Sequence, residues 1–177
     1  SCGNEEAIQR VSDELEKFDT IIINLYNQIE TNPIKVLNES EKLIKKTKTD
    51  ADPNNLRWNK LNSLYALRAE TFYKTREYEK SITEIFNDIK NTQEMLGGDL
   101  YIGDNSAIHL ACNYVKLKDL KKTKYYLNKA SSGWYITDYV YANYYEVIGS
   151  KTKAITAYNK ILKKENLDHY YFYKDAQ

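Results

Sequence analysis

Three segments of this chain repeat one order of residue types, and that order restricts the fold more than any other feature. In LNSLYALRAETFYKTREYEKSITEIFNDI the small Ala69 precedes the aromatic Phe72, a turn follows, and Tyr78 and the small Ser81 come next. AIHLACNYVKLKDLKKTKYYLNKA supplies Ala111, Tyr114, a short turn, Leu120, Thr123, Leu127 and Ala130. DYVYANYYEVIGSKTKAITAYNKIL supplies Ala142, Tyr145, Gly149 at the turn, Ala154, Tyr158 and Ile161. Small side chains at these places let the two helices of a hairpin approach closely, while the aromatics fill the gap between successive hairpins. Six Gly and two Pro in 177 residues are too little punctuation for a chain of strands. The expectation is an all-α chain with eight main helices.

The interval from Ala69 to Ala111 is 42 residues and that from Ala111 to Ala142 is 31, bracketing a period of about 34. The loop LGGDLYIGDNS accounts for the longer one. In this order and spacing the stretch from Asn54 to Leu162 resembles the tetratricopeptide repeat family. Ser81 and Thr123 stand where that family favours alanine, and Gly149 alone occupies its turn glycine. The resemblance implies a right-handed α-α superhelix of about four helical hairpins, a TPR-like solenoid. Residues 1–5 would form a tether and 6–177 a single helical domain. Within it, 6–49 is an atypical first hairpin, 54–96, 104–131 and 134–164 are the repeat units, and 165–177 cap the end.

The first hairpin has its own signal. Ile8, Val11, Leu15, Phe18, Ile22, Leu25 and Ile29 alternate by three and four, one continuous stripe on a long helix. A short connection to the next helix favours packing that stripe within the chain, hence a monomer over a homodimer. In TNPIKV, Pro33 suits the first helical position with Asn32 or Thr31 as cap. The second helix is expected to turn Ile34, Leu37, Leu43 and Ile44 inward and Lys42, Lys45, Lys46 and Lys48 outward, until DADPNN ends it.

No constellation for catalysis emerges, and the chain is read as a non-enzyme that needs no cofactor. His109 and His169 lack partners at metal-ligand spacing, and Cys112 lies on a helix as a buried thiol. GGDLYIGDNS lacks the lysine and hydroxyl of a phosphate loop, leaving Asp104, Asn105 or Ser106 to cap the helix that follows. Twenty-six basic residues balance 25 acidic ones, so no global field draws the chain to nucleic acid. The run KLKDLKKTK is lysine-rich but contains neither arginine nor interleaved aromatics, and it reads as a solvated helix face. Ile21-Ile22-Ile23 is the longest aliphatic run, far short of the roughly 20 apolar residues that span a bilayer.

Tetratricopeptide proteins bind peptides on the first helices of their hairpins, and the resemblance implies such a groove here. Carried over unit by unit, it is lined by Ala66, Glu70, Tyr73 and Lys74, then Ile108, Cys112 and Lys116, then Tyr139, Asn143 and Glu146. Chaperone-binding members carry a Lys and Asn clamp for a terminal carboxylate. Ala66 and Glu70 stand at those places, so the resemblance does not extend to that activity. Of 17 tyrosines, 13 lie from Tyr101 onward. Tyr114, Tyr145 and Tyr158 match core positions of the repeat, whereas Tyr139, Tyr144, Tyr170, Tyr171 and Tyr173 are open to an interface role.

The opening SCGNEE resembles the start of a processed bacterial lipoprotein, a small residue before the cysteine that is acylated. That resemblance implies a lipid on Cys2, membrane attachment through it alone, and a place in the bacterial cell envelope, at the outer membrane, facing periplasm or surface. The expected partner is another protein or peptide. Two roles fit: an adaptor or scaffold of the envelope, and an immunity protein that binds and inhibits a secreted toxin.

Overall fold

The computed structural model describes residues 2–130 and 135–163, apart from the side chains of residues 2–4 and 135. The side chain of Cys2, His169, the three tyrosines beyond Tyr158 and the expected cap at 165–177 lie outside the described residues. Eight α-helices make up the regular structure among them: α1 (Cys2–Tyr26), α2 (Pro33–Thr49), α3 (Arg57–Lys74), α4 (Tyr78–Leu96), α5 (Asp104–Lys116), α6 (Leu120–Leu127), α7 (Tyr135–Val147) and α8 (Lys151–Leu162). The chain is all-α. It divides into two compact units, Ser1–Leu100 and Tyr101–Gln177.

In the first unit α3 packs against α4, α2 and α1. Phe18, Ile22, Leu25 and Ile29 of the N-terminal stripe join Val36, Ile44, Leu61 and Leu64 in one core. The stripe enters that core just past Glu14, which accepts from Asn54 Nδ2 (2.6 Å) and pairs with Lys60 at the start of α3. Toward the N-terminus exposure rises to 64% at Ile8. The helix itself begins at Cys2, before the expected Glu6, with Glu5 in the first turn, where an acid complements the helix dipole.

Helix α2 corrects the reading of its inner face. Val36, Ser40 and Ile44 are buried, Leu37 and Leu43 half-buried, and Ile34 is 72% exposed. The cause is phase: Val36, Ser40 and Ile44 recur every four residues, and Ile34 lies about 200° around the helix from Val36. Asn32 does cap this helix, its side chain accepting from the Lys35 N–H at 3.2 Å behind Pro33. Asp52, in DADPNN, performs a larger task than ending α2. Its two carboxylate oxygens accept from the N–H groups of Leu56 (2.8 Å) and Arg57 (2.9 Å) and so start α3.

In the second unit α5 packs with α6 and α7, and α7 with α8. Helix α5 begins at Asp104 with Gly103 before it and no side-chain cap, so none of Asp104, Asn105 or Ser106 plays the expected capping part. Starting at Asp104 places that carboxylate inside the first turn, where its charge serves the dipole instead.

Three hairpins, α3–α4, α5–α6 and α7–α8, turn in the same way. At each the first helix ends on a left-handed residue: Arg76 (φ 63°), Lys118 (φ 60°) and Gly149 (φ 76°). The next N–H reaches back to the carbonyl of the repeat's aromatic: Glu77 to Phe72 (2.8 Å), Asp119 to Tyr114 (2.9 Å), Ser150 to Tyr145 (2.8 Å). The left-handed residue itself bonds three back, to Tyr73, Val115 and Glu146. This is the six-to-one bond of a Schellman cap, and it fixes one register for all three: small residue, aromatic, left-handed residue, small residue. Where serine and threonine replace alanine, their hydroxyls are satisfied. Ser81 Oγ donates to the Ala69 carbonyl across the hairpin (2.8 Å), and Thr123 Oγ1 to the carbonyl of Asp119, the residue before α6 (2.8 Å).

Candidate protein-binding surface

In the first unit the expected groove residues divide by burial. Ala66 is exposed, Glu70 and Lys74 half-buried, and Tyr73 is buried with its ring edge-on to Tyr78 at 5.4 Å. Lys74 Nζ donates to Glu30 in the turn after α1 (3.1 Å) and stands 4.0 Å from Glu70. Burial pushes the Glu70 carboxyl above its ordinary range, against the pull of Lys74. Asp88 of α4 is pushed to about 6, also by burial, and its Oδ1 has no hydrogen-bond partner. The Tyr26 hydroxyl of α1 is raised by burial and then by the charges of Glu70 and Asp88. Three helices thus bring acidic groups together. The sequence held a signal for Asp88, which occupies the apolar stripe of α4 at the spacing of Ser81, Ile85 and Thr92.

Close to this cluster in sequence, Arg68 makes a network that periodicity could not reveal. Its side chain, 12% exposed, bonds Glu84 of α4 through Nε (2.7 Å). Through Nη1 it bonds the Leu37 carbonyl (2.9 Å) and Ser40 Oγ (3.2 Å) of α2. Glu41 lies 3.4 Å from Nη2, and the Phe72 ring lies under the guanidinium at 5.5 Å. Such a planar, satisfied fork is structural: it joins α2, α3 and α4.

In the second unit Ile108, Cys112, Tyr139 and Asn143 are buried, Lys116 is half-buried and Glu146 exposed. Three of these meet. Lys116 Nζ donates to Asn143 Oδ1 (2.6 Å) and lies 5.2 Å above the Tyr139 ring, while Asn143 Nδ2 donates to the Tyr139 carbonyl (2.8 Å). Tyr139, with 0% exposure, belongs to the interior, the reverse of an open interface residue. Glu146 accepts from the Tyr158 hydroxyl at 3.0 Å. The part of the expected set that offers accessible surface is therefore Ala66, Glu70 and Lys74 in one unit and Lys116 and Glu146 in the other. Burial lowers His109 to about 4, so its imidazole is neutral at pH 7.

The lysine run gains in space the aromatics it lacks in sequence. Lys122 lies 4.9 Å over Tyr114, which stacks on Tyr126 at 5.5 Å, and Lys124 lies 5.7 Å over Tyr144 of α7. Lys118, Lys121, Lys122 and Lys124 are exposed, as a solvated face requires, and the rings that meet two of them come from α5 and α7. A cleft of about 480 Å³ opens between α7 and α8, with Tyr141, Tyr145, Lys153, Thr156 and Lys160 among its walls. Of the expected core tyrosines, Tyr114 is buried, while Tyr145 and Tyr158 are half-buried.

Among the described residues no group of three His, Cys, Asp or Glu side chains is placed to hold a metal ion, and no helix is long and apolar enough to cross a membrane. No protein-family model, no curated protein and no solved structure matches the chain.

Proposed function

We propose that this chain is a tetratricopeptide-like protein-binding module, held by a lipid on Cys2 at a bacterial envelope membrane, where it serves as an adaptor or scaffold. The observation that carries the reading is the common register of the three hairpins, each with its left-handed turn bonded back to Phe72, Tyr114 or Tyr145. A single turn geometry repeated on a small-aromatic pattern is the hallmark of a stacked-hairpin array, whose business is presenting first-helix surfaces to a peptide or helix. Ala66, Glu70 and Lys74, and separately Lys116 and Glu146, are the accessible residues such a partner would meet.

Crosslinking and affinity purification of the natively processed protein from its own cells, followed by mass spectrometry, tests this. Several envelope proteins are expected. Recovery of one secreted toxin alone would replace the adaptor role with an immunity role, and recovery of nothing above background would refute a binding module altogether.

A further inference from the structure

The two units differ in charge. Residues 1–100 carry 14 basic and 18 acidic side chains, and residues 101–177 carry 12 lysines and seven acids. In the first unit the charges largely satisfy one another, as in Lys60 with Glu14, Arg68 with Glu84 and Lys74 with Glu30. The described residues of the second unit hold ten lysines and four acids, and Lys122 pairs with Asp119 at 3.5 Å. Five of the ten ammonium groups, those of Lys116, Lys122, Lys124, Lys129 and Lys153, lie over rings. Lys124 lies over Tyr144, Tyr144 meets Tyr145 edge-on at 5.9 Å, Tyr145 stacks on Tyr141 at 6.1 Å, and Lys153 lies 5.5 Å over Tyr145. This chain of contacts runs from α6 across α7 to α8 and ends in the cleft that Tyr141, Lys153 and Lys160 line.

A cation resting on a ring keeps its charge and its remaining donors while losing much of its rotamer freedom, so the entropy of ordering a long lysine is already spent before a ligand arrives. We infer that the α6–α7–α8 face of the second unit, built on Lys124, Tyr144, Tyr141, Lys153 and Lys160, binds an acidic polypeptide segment. Carboxylates pair with the ring-held ammoniums of Lys124 and Lys153 and with Lys160 on the cleft wall, and the apolar stems of the segment lie on Tyr141, which is 37% exposed. Charge complementarity selects the partner, and two features favour carboxylate over nucleic acid. The second unit contains no arginine to form a bidentate fork on phosphate. Tyr144 and Tyr145, which would have to stack on bases, already have a lysine over their rings. Asp138 shares the cleft wall with Lys153 and Lys160, and Glu146 accepts from the Tyr158 hydroxyl. This inference names the partner class for the binding module proposed above and rests on that reading.

The test is fluorescence anisotropy of the purified full chain with a labelled peptide of about ten residues in which Glu and Leu alternate, alongside a single-stranded oligonucleotide and heparin of comparable length. Binding of the peptide is expected to weaken at least tenfold in Lys124→Glu/Lys153→Glu and in Lys153→Glu/Lys160→Glu, and to fall as salt rises. The paired reversal Lys42→Glu/Lys45→Glu on α2 should leave it within about twofold. Lys→Gln versions, checked by circular dichroism, separate loss of charge from loss of fold and should weaken binding in the same direction. No peptide binding, equal binding by the reversed variants, or tighter binding of the oligonucleotide or heparin would each overturn the assignment. A partner captured from cells that binds the reversed variants unchanged would overturn it too while leaving the binding module standing.

Discussion

The shared turn makes a prediction whose sign depends on the residue present. At Gly149 the backbone is left-handed and a Cβ added there would meet no atom within 4 Å. Gly149→Ala therefore introduces no clash and isolates the backbone term, a destabilisation of about 1 kcal/mol from forcing an L-residue into that region. Arg76 and Lys118 already carry that strain; both are exposed and neither makes an ion pair among the described residues. Lys118→Gly should thus stabilise, by about 0.5 kcal/mol, because the relief of strain is partly offset by the greater freedom of glycine in the unfolded chain. Arg76→Gly should do the same in the first unit. Urea unfolding followed by far-UV circular dichroism resolves such changes as midpoint shifts at constant m. For a chain of this size 1 kcal/mol moves the melting temperature by about 2–4 °C. Loss of stability in Lys118→Gly and Arg76→Gly comparable to that in Gly149→Ala would refute the common register, since residues of one turn type cannot both need and resent a side chain.

Other consequences are equally specific. Arg68→Ala leaves Glu84 buried without its cation and frees the Leu37 carbonyl, and should destabilise the chain by about 3–5 kcal/mol in the same urea assay. Asp88, raised to about 6 in the fold against 3.8 for a free side chain, binds its proton more tightly folded than unfolded. Its contribution is fully present below pH 3.8 and is lost as pH climbs through 6. Asp88→Asn should accordingly gain about 1 kcal/mol at pH 8, a value reduced by the water its part-exposed carboxyl retains, and nothing near pH 3. Cys2→Ala should move the protein from the membrane to the soluble fraction of its own cells; retention in the membrane would end the proposal of a lipid anchor.

The hairpins were legible because their signal is local: a small residue, an aromatic three places on and a small residue on the next helix all lie within 13 consecutive positions, Ala69 to Ser81 for example. Two of the three left-handed residues left no trace, since Arg76 and Lys118 are types that normally avoid that region. Ile34 shows the limit of counting apolar residues without their phase. Tyr139 shows a second limit, because nothing in its neighbours distinguishes a tyrosine filling a gap between helices from one held out to a partner. Arg68 and the lysines over rings of other helices depend on groups that meet only after helices pack. The partners of Arg68 lie 16 residues away at Glu84 and 31 at Leu37, beyond the reach of any helical period.

Because a single guanidinium holds a backbone carbonyl of α2 and a carboxylate of α4 from its place on α3, those three helices cannot separate one at a time without exposing a buried charge. Amide hydrogen exchange should therefore find α2, α3 and α4 opening together with a common protection, as one cooperative block. The N-terminal turns of α1, where Ile8 stands in solvent, should exchange far sooner, fraying from a core that has not yet begun to open.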